Sequence, residues 1–152
     1  MQPTRIERHI NAARTAVYRA LVTSDLVEQW MVPEGMTIQI HEFDGREGGR
    51  FRVSLTYTMT RGTGKTSQNT DTYHGRFVKL VPNEMVVEAV EFETDDPRLQ
   101  GEMTVILTLM DAEGGTSLVA VHENLPPGLS PADNEVGWQM SLSKLAALVE
   151  GP

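Results

Sequence analysis

A chain of 152 residues and 16.8 kDa, 39% apolar, is long enough to bury roughly two-thirds of its unfolded surface around one core and too short for a second. Its 13 Lys and Arg against 21 Asp and Glu leave a net charge of −8, which repels phosphate backbones and anionic membranes, excludes nucleic acid as a partner and otherwise serves solubility. The absence of cysteine removes disulfides, thiolate nucleophiles and thiolate metal sites, and with no apolar signal core or bilayer-length apolar run, a cytoplasmic single domain without integral membrane association is expected.

Thr4 to Ile10 alternates apolar and charged residues and predicts a short first strand at a sheet edge. Asn11 precedes AARTAVYRALV, where Ala13, Val17, Tyr18 and Leu21 share one helical side, and Ser24-Asp25 opens a second short helix reaching Trp30. Pro33 and Gly35 end that region; Met36 to Phe43 alternates as the next strand, closed by the turn Asp44-Gly45. After Gly48-Gly49 the clearest alternation in the chain sets Phe51, Val53, Leu55, Tyr57 and Met59 against Arg50, Arg52, Ser54, Thr56 and Thr58. The small polar stretch Arg61 to Thr70 reads as a hairpin loop, Asp71 to Val81 as the partner strand and Pro82-Asn83 as a turn. Met85 to Glu93, Glu102 to Met110 and Thr116 to Glu123 follow as strands, separated by TDDPRLQ and by the turn AEGG.

The closing segment PGLSPADNEVGWQMSLSKLAALV carries a helix start that is well specified: Ser130 as N-cap, Pro131 in the first helical position and Asp133 three residues after the cap. Beyond it Trp138, Leu142, Leu145 and Val149 recur on one face, while Gln139, Ser143, Lys144 and Glu150 are polar. One face must therefore be buried, and the strand-rich middle offers the concave side of an antiparallel sheet. The fold class that follows is α+β: a curved antiparallel sheet wrapped around a long C-terminal helix, with two short helices after the first strand and room for a pocket between sheet and helix.

Gly62-Thr63-Gly64-Lys65-Thr66 invites a phosphate-loop reading, but the required first glycine falls on Met59 and no amphipathic helix follows, so a hairpin tip accounts for it. His9, His41, His74 and His122 are too scattered for a metal site, no metal or other cofactor is indicated, and no serine sits in a nucleophile elbow.

Four ordered motifs resemble those of the START, birch-pollen-allergen and polyketide-cyclase (SRPBCC, helix-grip) superfamily, and within it the family of the C-terminal domain of the activator of heat-shock protein 90 ATPase. They are Val17-Tyr18, Leu21, Thr23, Leu26 and Trp30 in the early helices; the turn Asp44, Arg46, Gly48, Gly49; Tyr73, Gly75, Val81 and Pro82; and Gly137, Trp138, Leu142 and Leu145. The resemblance covers almost the whole chain. It implies a helix-grip fold whose members range from small-molecule binders to cyclases to co-chaperone domains.

The residues themselves favour a pocket for a small hydrophobic or amphipathic molecule. Phe51, Val53, Leu55, Met103, Val105, Leu107 and Leu118 are expected as its apolar wall, small Ala120 as space, and Trp138 and Leu142 as the cover from the helix. Tyr57, Tyr73 and His122 are its candidate polar groups, each with core packing as the alternative. Met31 and Met36 either line an entrance or fill gaps. Glu88 and Glu91, three apart on one strand, point to opposite faces, so one turns inward unless a bulged or frayed strand exposes both, which is the expectation. No catalytic residue is assigned. The alternatives are a cyclase-like or hydrolase-like enzyme using His122 with Tyr73 or an inward glutamate, and a docking surface for a chaperone or for a second copy in a homodimer.

Overall fold

The computed structural model describes residues 3–58 and 70–150; Met59 and the Gly62 to Thr66 run lie outside the described residues. Element order is β1 (Thr4–Ile10), α1 (Arg14–Val22), α2 (Ser24–Trp30), β2 (Met36–Phe43), β3 (Arg50–Tyr57), β4 (Thr70–Val81), β5 (Met85–Phe92), β6 (Met103–Ala112), β7 (Gly115–Glu123) and α3 (Pro131–Glu150). The strand, two helices, six strands and long helix read from the sequence are all present. The last hairpin is tighter than expected. Ala112 pairs with Gly115, and Gly114 takes a positive φ of 79°, so two residues reverse the chain and both strands extend to meet them.

All seven strands are antiparallel, in the order β1-β7-β6-β5-β4-β3-β2. The first strand sits at an edge, as its short charged pattern suggested, and pairs with β7 from Thr4 opposite His122 to Ile10 opposite Thr116. Bulges in β2 between Ile40 and Glu42 and in β4 between Phe77 and Lys79 help bend the sheet. Two of the quoted motifs find a physical reason here. A Cβ on Gly75 would strike the Ala89 carbonyl oxygen and the Phe51 ring, so only glycine lets that ring lie across β4. In the Asp44 to Gly49 turn, Arg46 Nε donates to Asp44 Oδ2 at 2.9 Å, and Gly48, with φ of 80°, donates to Phe77 O at 2.8 Å, tying the turn to β4 at its bulge.

The α3 helix lies in the hollow of the curled sheet, the helix-grip arrangement. Its start is capped as expected: Asp133 N–H donates to Ser130 Oγ at 3.2 Å and Asn134 N–H to Ser130 O at 2.9 Å. Leu142, Leu145, Ser141 and Ala146 are buried, while Trp138 and Val149 stand half-buried at the margins of that face. The two short helices close one end. Trp30, only 1% exposed, donates its Nε1–H to Ala20 O at 2.8 Å, and Arg14 fastens the start of α1 to Asp111 and to the Asn83 carbonyl. Among the described residues no helix is long and apolar enough to cross a membrane.

Candidate functional site

Where α3 crosses the sheet its two halves do different things. The C-terminal half is packed solid: Leu142 and Leu145 are wholly buried together with Leu107, Leu109, Leu118 and Ala120, which pair across β6 and β7. Under the N-terminal half a cavity of about 620 Å³ remains open, within the range of small-molecule sites. Its floor comes from Leu55 and Tyr57 of β3, Tyr73 of β4, Glu88, Val90 and Phe92 of β5, and Met103 and Val105 of β6. Its roof is Gly137, Trp138 and Ser141, and Met31, Pro33 and Met36 flank the entrance with Val136 and Met140.

Of the residues expected on the wall, Leu55, Tyr57, Tyr73, Met103, Val105 and Trp138 reach the cavity, and so do the two methionines read as entrance residues. Phe51, Val53, Leu107, Leu118, Ala120, His122 and Leu142 do not. Phe51 is taken up in an aromatic cluster, 5.3 Å from Phe77 and 6.4 Å from both Phe43 and Tyr73, and is covered by them. Val53 is 2% exposed and joins the close-packed interior, as do Leu107, Leu118 and Ala120, while Leu142 is buried in the same core from α3. Strand parity gives the face of a side chain but not its position along the helix that covers it, which is why the expected wall was drawn too wide.

His122 faces inward, as its parity with Leu118 suggested, yet its ring is wholly buried against Trp138 at 4.7 Å. Nδ1 shares a 3.1 Å hydrogen bond with Thr4 Oγ1, which also accepts from Asn134 Nδ2 at 3.4 Å, and Nε2 has no partner among the described residues. Burial lowers its pKa to about 4, so the ring is neutral at physiological pH. Trp138 in turn stands 6.4 Å from Trp30, forming one wall of the cavity and shielding the imidazole.

Glu88 is the group that the sequence reading placed wrongly. It was expected to be exposed along with Glu91, but the bulge lies in β4 rather than β5, so β5 keeps its alternation. In register, Phe77, Glu88, Val105, His122 and Thr4 form one row across five strands, with Glu88 and His122 two strands and about 10 Å apart. Glu88 is 7% exposed, lines the cavity, and has no hydrogen bond or ion pair among the described residues. Burial raises it to about 7. Tyr73 is likewise held above the ordinary tyrosine value, first by burial and then by the charge of Glu88. Glu91, by contrast, sits at the convex surface 3.6 Å from His74. The signal was legible: Val86, Glu88, Val90 and Phe92 share one parity, whereas the other carries Glu91 and Glu93 together.

Among the described lining residues the charged side chains have one sign. Glu34, Asp71, Glu88 and Asp133 line the cavity, with no Lys, Arg or His among the described lining residues.

A family model described as Activator of Hsp90 ATPase homolog 1-like protein matches residues 11–150. Among solved structures, protein CV1439 from Chromobacterium violaceum is 32% identical and superimposes with a TM-score of 0.87 over 99% of this chain and 98% of that one. The AHSA1 (SPO3351) protein from Silicibacter pomeroyi is 23% identical with a TM-score of 0.79, covering 97% of this chain and 96% of its own. Protein NE0264 from Nitrosomonas europaea, at 20% identity and a TM-score of 0.73, covers 97% and 94%; the last two show the fold alone. No match was found among curated proteins.

Proposed function

The chain belongs to the Activator of Hsp90 ATPase homolog 1-like family, and on that footing we propose that it binds a small hydrophobic or amphipathic molecule between the sheet and the N-terminal half of α3. The observation that carries this reading is the cavity of about 620 Å³ itself. Close packing is the rule in protein interiors, and an apolar void forfeits dispersion contacts on every side. The other half of the same sheet–helix interface buries its side chains completely, so the space here is read as built for an occupant. Tyr57, Tyr73 and Glu88 supply the few polar groups that fix its orientation, with Leu55, Val90, Met103 and Trp138 as the apolar body of the site.

The proton-transfer alternative loses His122 as its base on this geometry, because Trp138 covers the ring; such a role passes to Glu88, which faces the cavity. The binding reading is tested by native mass spectrometry of freshly purified protein for co-purified small molecules, with fluorescence titration of lipids and aromatic metabolites. Trp138, on the cavity wall, should report binding, and Trp138→Phe should silence that response while buried Trp30 keeps its signal. An empty protein whose fluorescence and amide shifts ignore the whole library would overturn the proposal.

A further inference from the structure

We infer that the occupant of the cavity is an amphipathic cation, an apolar or aromatic body carrying one protonated amine, with its ammonium held at Glu88. This rests on the binding reading above and gives it a charge. Glu88 is 7% exposed, faces the cavity, and finds neither donor nor cation among the described residues. A carboxylate taken out of water without a partner is strongly disfavoured, and the missing donor is what a bound ammonium brings.

The rest of the wall points the same way. Glu34 and Asp133 stand at the mouth, so an anionic ligand would pass like charges on entry and meet another at the floor. The positive end of α3 does not reverse that sign. Its first turn is already answered by Ser130 Oγ, which accepts from Asp133 N–H, and by the Asp133 carboxylate. Tyr73, Phe92 and Trp138 present aromatic rings to the same space, surfaces that favour a cation over a neutral head group. Because burial raises Glu88 to about 7, its carboxyl at neutral pH gives up its proton to solvent readily when an ammonium arrives. Part of the net charge of −8, which the sequence suggested as a matter of solubility, thus lines the site.

The test is a matched set of probes sharing one apolar body: phenylbutylamine, phenylbutanol and phenylbutyrate, titrated by calorimetry and amide NMR at neutral pH. The amine should bind about tenfold or more tightly than the alcohol, as a charge-assisted hydrogen bond at a desolvated site warrants, and the acid should bind weakest. Glu88→Gln should bring the amine to within about threefold of the alcohol, since the amide keeps the shape and loses the charge. Glu91→Gln, on the convex surface beside His74, should keep the preference in full. Alcohol binding as tightly as amine, acid binding tightest, or an amine preference that survives Glu88→Gln would overturn the inference while leaving the binding reading intact. Failure of all three probes to bind would overturn the binding reading, and the inference with it.

Discussion

Glu88 and His122 titrate in opposite senses over the same pH range, and removing one should unmask the other. In the unfolded chain the carboxyl titrates near its ordinary 4.5, and in the folded protein near 7. Between those values the unfolded state has lost a proton that the folded state retains, so folding stability falls as pH rises. The gap, at about 1.4 kcal/mol for each pH unit, comes to about 3 kcal/mol. For His122 the ordinary 6.5 drops to about 4 on folding, so the unfolded chain takes up a proton that the folded protein refuses, and stability rises by a similar ~3 kcal/mol as pH climbs from 4 to 6.5. Glu93, which the Arg52 hydrogen bonds hold down at about 2, has completed its contribution below this window. From these two buried groups, then, the wild type should be nearly flat between pH 4.5 and 6.5. Glu88→Gln should match it in stability near pH 4.5 and then gain about 1.4 kcal/mol per pH unit up to pH 6.5, finishing about 3 kcal/mol more stable above pH 7. Urea denaturation at half-unit pH steps measures both curves. Parallel curves for wild type and variant would refute the reasoning, because the carboxyl would then carry the same proton affinity folded and unfolded.

His122→Phe, which keeps a ring against Trp138, should give the mirror image, with stability falling from pH 4.5 to 7 in the same urea series. Gly137→Ala should stabilise by about 0.5–1 kcal/mol through helix propensity alone, since a methyl there meets nothing within 4 Å; thermal unfolding reads it, and destabilisation would mean the position is filled. Gly75→Ala should cost upwards of ~2 kcal/mol or prevent folding, because the methyl meets the Ala89 carbonyl and the Phe51 ring, and loss of soluble protein or a lowered urea midpoint would show it. Ser130→Ala should cost about 1 kcal/mol by freeing the Asp133 amide, measured in the same way.

The architecture was legible because it rests on short-range rules. Period-two alternation in Phe51 to Tyr57 and period-3.6 recurrence from Trp138 to Val149 each need only neighbouring residues, and Ser130 announces its helix by chemistry that acts three residues away. The site was half legible for the same reason. Parity placed Leu55, Tyr57, Tyr73, Met103, Val105 and His122 on the concave face, but whether a concave side chain meets a cavity or another side chain is settled by where α3 crosses. Leu107 and Leu118 lie on the same face as Val105 and differ from it in not reaching the cavity. Glu88 was lost to the expectation of a bulged or frayed strand, which the regular register of β5 overturns.

The helix that roofs the cavity follows, in chain order, every strand it covers. During synthesis the curled sheet therefore emerges with only α1 and α2 against it, and the part of its apolar hollow that α3 covers stays bare until Pro131 to Glu150 clears the ribosome. A nascent chain in that condition presents a greasy trough to whatever is near.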